Sequence, residues 1–135
     1  MKKTKILSLI LIFMVLVSVL ATSVQAASTY QNNNSFVNTS FTISDSGASK
    51  TSISYIGIDG ITTGATITIT ISKRSWLFFW DEVVTHTLHF AEVKHSYEYK
   101  YQLFSKGTYK CEVEYVISGT GGADDVITFE DTASY

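Results

Sequence analysis

The stretch that decides the fold is His95-Ser96-Tyr97-Glu98-Tyr99-Lys100-Tyr101-Gln102-Leu103, a turn at Ser105-Lys106-Gly107, then Tyr109-Lys110-Cys111-Glu112-Val113-Glu114-Tyr115-Val116-Ile117. In its first half Tyr97, Tyr99, Tyr101 and Leu103 alternate with Ser96, Glu98, Lys100 and Gln102. In its second half Tyr109, Cys111, Val113, Tyr115 and Ile117 alternate with Lys110, Glu112 and Glu114. A period of two places each apolar set on one face of an extended strand, whereas the 3.6-residue period of a helix would scatter it around the circumference. The stretch therefore predicts two consecutive β-strands, each with one buried face.

Working outward, the same alternation recurs. Ala65, Ile67, Ile69 and Ile71 alternate with Thr66, Thr68, Thr70 and Ser72, a β-branched run suited to a pleated sheet. Val37, Thr39, Phe41 and Ile43 predict a first strand, and residues 49–57 around Ile53 and Tyr55 a second. Val84, His86, Leu88 and Phe90 share a face in the fourth, and Ile127 and Phe129 point inward in the last. Clusters of Gly, Ser, Asn and Asp separate the segments, and Gly119-Thr120-Gly121-Gly122 reads as a flexible hairpin loop. The expectation is an all-β fold, a single seven-stranded sandwich over 35–135 with no helix after the N-terminal segment. With no proline in the chain, strand edges must be protected by charge, twist or bulges, and Lys94, Glu98 and Lys100 are the candidates on the fifth strand.

The N-terminus carries Lys2, Lys3 and Lys5, an apolar run from Ile6 to Leu20, and Val24-Gln25-Ala26. That order predicts a helical signal peptide over 1–26, cut near Ala26, with 27–34 as a flexible lead. An uncleaved membrane anchor is the rival reading of the same run. Cleavage leaves 109 residues with 7 basic and 12 acidic side chains, so the net charge moves from −2 to about −5. Without a cluster of Lys and Arg the exported chain does not suit nucleic acid. Its one cysteine, Cys111, cannot form an internal disulfide, so the domain is held by packing.

Lys106-Gly107-Thr108-Tyr109-Lys110-Cys111 resembles the start of the sixth strand of immunoglobulin-like domains, where a tyrosine two residues before a cysteine forms the tyrosine corner. The chain departs from that family in having no cysteine on the second strand and no core tryptophan on the third. The whole layout also resembles a group of small secreted proteins of Gram-positive bacteria with no assigned activity. The resemblance rests on the leader, a Ser/Thr-rich first hairpin, the Ile-Thr-Ile-Thr-Ile-Ser-Lys-Arg strand from Ile67, the Trp-containing hairpin over 76–83, and Gly107-Thr108-Tyr109. It implies an immunoglobulin-like sandwich and export, and it carries no established activity with it.

The stretch with functional content is Lys73-Arg74-Ser75-Trp76-Leu77-Phe78-Phe79-Trp80-Asp81-Glu82. Five large apolar residues stand where a hairpin connection should be polar. Trp76 and Trp80 are expected to stack across the hairpin. Leu77, Phe78 and Phe79 then form either an exposed tip, which marks a contact surface, or a flap capping one end of the core. Lys73 and Arg74 beside the aromatic run complete the candidate binding set of Lys73, Arg74, Trp76, Leu77, Phe78, Phe79 and Trp80.

Other side chains carry weaker signals. His86 and His89 are separated by an odd number and point to opposite faces, so His89, Glu92 and His95 converge only through a turn, and no metal site is expected. Cys111 is expected to be a buried thiol, and Asp124, Asp125, Glu130 and Asp131 a solvated strand edge. There is no nucleophile elbow, zinc-protease motif or phosphate loop, and no cofactor is expected. The reading is a secreted, non-catalytic binding or interaction module whose partner is a cell-surface protein, a glycan or a membrane surface. A membrane-active or bacteriocin-like protein is the second reading and an enzyme the third.

Overall fold

The structure, a computed structural model, describes residues 31–135. The expected signal peptide, its cleavage site and the first part of the expected lead lie outside the described residues. Within them the chain forms seven strands: β1 (Asn34–Ile43), β2 (Ala48–Gly57), β3 (Thr62–Trp76), β4 (Phe79–Phe90), β5 (Lys94–Gln102), β6 (Thr108–Gly119) and β7 (Asp125–Ser134). Every pairing is antiparallel, in a three-stranded sheet ordered β1-β2-β5 and a four-stranded sheet ordered β4-β3-β6-β7. All seven expected strands are present and the fold is all-β. β5 is an edge strand, and Glu98 on it is paired with Lys100 at 3.1 Å and Lys50 at 3.7 Å.

The alternating faces set the core. Ile67, Ile69 and Ile71 of β3 lie beside Tyr115, Val113 and Cys111 of β6 in register, and all six are buried. Phe41, Ile53 and Tyr55 of the three-stranded sheet close over them. Polar bonds also join the sheets. The Tyr115 hydroxyl donates to the Asn38 carbonyl at 3.0 Å and is bonded to the Thr39 hydroxyl, both on β1. The Tyr109 hydroxyl donates to the Ser105 carbonyl at 2.5 Å, tying the start of β6 to the turn before it.

Thr51 of β2, fully buried, faces Cys111 across the sheets with its hydroxyl 3.5 Å from the thiol sulfur. The inward set expected on β2 was Ile53 and Tyr55, and alternation continues it through Thr51 and Ser49. Thr51→Cys therefore places a second sulfur near Cys111, closing a loop of about 60 residues and stabilising the oxidised protein by about 4 kcal/mol. Urea unfolding with and without reductant measures the gain. An oxidised variant that retains two free thiols would refute the juxtaposition.

At the end of the sandwich where β1 begins, two expectations are corrected. Asp125 is not on a solvated edge: it is buried, and its carboxylate accepts the backbone N–H groups of Asn32 (2.6 Å), Asn33 (2.6 Å) and Asn34 (2.9 Å). Residues 32–34 are thus a docked part of the domain, where a flexible lead was expected. The Asn33 side chain donates to the Ile117 and Ala123 carbonyls and accepts from the Gly121 N–H. The Gly-rich loop is packed against this segment as well: a Cβ on Gly121 would collide with the Asn32 carbonyl oxygen, so the glycine is required by close approach. Composition signalled a loose lead and a loose loop because neither has periodicity, and their order comes from each other.

Candidate functional site

β3 and β4 run on past the rest of their sheet. The last pair joining β3 to β6 is Lys73 with Tyr109, and beyond it Arg74 and Trp76 are paired only with β4. At about 3.3 Å per residue, the hairpin projects on the order of 10 Å past the end of the sandwich. Ser75 and Val83 are extra residues at two register shifts in this arm. Such bulges add local twist.

The tip is exposed and does not fold back as a cap. Trp76, Leu77, Phe78 and Phe79 have relative exposures of 65, 60, 80 and 61%. Leu77 and Phe78 form the two-residue turn, so Trp76 and Phe79 are the directly opposed pair, and their rings stack with centroids 6.0 Å apart and planes at 20°. This corrects the expected Trp76 to Trp80 stack. Trp80 is one residue beyond Phe79, and alternation sends it to the other face, where Arg74 is its cross-strand partner. There the Arg74 guanidinium lies 4.9 Å and the Lys110 ammonium 5.2 Å from the Trp80 ring, within cation–π range. Trp80 is half-buried and roots the arm to the outer face of the four-stranded sheet.

Lys73 is also engaged within the domain. Its ammonium donates to the Ser105 hydroxyl at 2.8 Å and stands 5.9 Å from the Tyr109 ring. The seven expected site residues thus divide by depth: four apolar side chains at the tip, Arg74 and Trp80 behind them, and Lys73 at the base. The structure adds residues the sequence reading did not place. Phe104, 89% exposed, and Lys106 lie in the 103–107 loop that Lys73 touches. Phe104 follows the buried Leu103, one residue past the end of β5, and an apolar side chain just beyond a strand end was the available signal. Among the described residues no carboxylate is paired with Lys73, Arg74 or Lys106.

The remaining candidates resolve into structural roles. His86 stacks on Tyr99 at 4.6 Å, and His95 stacks on Phe90 at 4.0 Å and bonds Glu92 at 2.5 Å. His89 turns away to Thr66. Among the described residues no group of three or more His, Cys, Asp or Glu side chains is placed to hold a metal. Cys111 is fully buried, and burial pushes its thiol up to about 11, opposite to an activated nucleophile. A shallow groove of about 660 Å³ on the three-stranded sheet is lined by residues including Lys50, Lys100 and Tyr101. Beside it the hydrogen bond from Lys100 holds the Glu98 carboxyl below its usual range, leaving it a poor proton donor at neutral pH.

Fold and hairpin together define an all-β, two-sheet domain carrying a projecting apolar tip. Comparison with known protein families, with curated proteins and with solved structures finds no match to this chain.

Proposed function

We propose that the chain is a secreted, non-catalytic binding module of immunoglobulin-like build, engaging its partner through the aromatic hairpin at residues 76–80. The observation that carries the reading is the exposure of four consecutive large apolar side chains on a projecting arm. Exposed patches of this kind on an otherwise well-packed domain mark contact surfaces. Trp and Phe are side chains that anchor interfaces.

The immunoglobulin-like assignment is supported by a three-plus-four strand arrangement and by the Tyr109 hydroxyl reaching back to the Ser105 carbonyl, the geometry of a tyrosine corner. Export is supported by the leader-like residues 1–26 and by the resemblance to secreted Gram-positive proteins. The non-catalytic reading is supported by a raised thiol, a Glu98 held ionised by its lysines, and histidines occupied in stacking.

Phe78→Ser combined with Phe79→Ser removes most of the tip. Neither side chain is in the core, so the urea midpoint should change by an amount equivalent to no more than about 0.5 kcal/mol. Binding to intact bacterial cells should fall at least about tenfold. A folded double variant that binds cells as well as the parent would sink the proposal.

A further inference from the structure

Resting on that reading of the hairpin, we propose that the surface it meets is an anionic membrane, into which the tip docks at headgroup depth without crossing the bilayer. The argument is the order of polarity along the arm. Leu77 and Phe78 are outermost, the stacked Trp76 and Phe79 come next, then Arg74 beside Trp80, and Lys73 is at the base. Apolar tip, aromatic ring, then cation is the sequence of environments met on leaving the acyl boundary through the headgroups.

The form of the tip points the same way. Trp76, Leu77, Phe78 and Phe79 are exposed on a narrow projection, a wedge where a protein-binding patch would be a broad face. Phe104 and Lys106 on the neighbouring loop supply a second apolar side chain with a second cation. Arg74 and Lys106, free of carboxylate partners among the described residues, are available to lipid phosphates. Asp45, Asp81 and Glu82 are acids near this end, and Glu112 and Glu130, held by the Lys110 beside Trp80, lie behind them. Asp81 stands level with Lys73 and Glu82 further back, both behind the Arg74 and Trp80 layer. A projection on the order of 10 Å reaches the acyl boundary and falls well short of a hydrocarbon core about 30 Å thick.

The test uses purified protein with vesicles of phosphatidylcholine alone and of phosphatidylcholine mixed equally with phosphatidylglycerol. Cosedimentation should favour the anionic vesicles about tenfold at low salt, with the difference shrinking at high salt. Phe78→Ser with Phe79→Ser should abolish binding to both. Arg74→Gln with Lys106→Gln should remove most of the preference for phosphatidylglycerol. In Trp80→Phe, where Trp76 is the remaining indole, emission should shift to the blue on anionic vesicles, and entrapped dye should stay inside. Dye release at saturation would overturn shallow docking. If vesicles are not bound but intact cells are, in a hairpin-dependent way that protease treatment of the cells removes, the membrane inference fails and the contact reading stands. Hairpin-independent binding to both would overturn the two together.

Discussion

Between pH 9 and pH 12 the domain is expected to lose about 5 kcal/mol of folding stability, beginning with Cys111 and finishing with Tyr115. Burial lifts the Cys111 thiol from 9.0 to about 11 and the Tyr115 phenol from 10.0 to about 12. In both cases the charged form is disfavoured in the core, so the folded state holds its proton to higher pH than the unfolded chain does. The corresponding stability is fully present below pH 9. It declines as the unfolded chain ionises and is gone once pH passes the folded values. Each group contributes about 2.7 kcal/mol at 1.36 kcal/mol per pKa unit, and the sum is a large fraction of a small domain's 5–15 kcal/mol. Urea midpoints at pH 8, 9.5 and 10.5 should fall progressively. Tyr115→Phe removes the phenol, so its profile should flatten above pH 11, where the parent's continues to fall, while the Cys111 decline between pH 9 and 11 remains. Equal midpoints at pH 8 and 10.5 for the parent would contradict this assignment of buried groups.

Asp125→Ala should destabilise the domain by about 4 kcal/mol and lower Tm on the order of 20 °C. The substitution removes the acceptor of three charge-assisted backbone bonds at once. It leaves the N–H groups of Asn33 and Asn34 buried without a partner. The loss extends beyond the carboxylate, because the docked segment also holds the 119–122 loop through Gly121 and the start of β3 through the Thr62 hydroxyl, which donates to the Asn33 carbonyl. Asp124→Ala, one residue earlier and exposed, should stay within about 0.5 kcal/mol of the parent. Thermal unfolding of the two variants side by side separates a clasp from a general effect of charge. Similar Tm values for both would refute the clasp.

The strands were legible because a half-buried β-strand writes its geometry into adjacent residues. Tyr109, Cys111, Val113, Tyr115 and Ile117 need no knowledge of their partners to be seen on one face, and all five are buried in the structure. The apolar tip was legible for the converse reason, since five large apolar residues in a row violate alternation where a turn should be polar. The pairing within that run was not. Whether Trp76 meets Phe79 or Trp80 depends on which two residues form the turn and on Ser75 being an extra residue, both settled by the register of β3 against β4.

Asn32, Asn33 and Asn34 read as a loose polar lead because the carboxylate that orders them lies over 90 residues away. Thr51 carries no local sign that Cys111 stands opposite it, 60 residues away. Local periodicity was therefore enough for the fold class, the seven strands and the anomaly of residues 76–80. The two-sheet strand order, the Asp125 clasp, the Thr51 and Cys111 contact and the exposure of the tip belong to the tertiary structure. Each depends on side chains brought together from distant positions, and such juxtapositions leave no periodic trace in the chain.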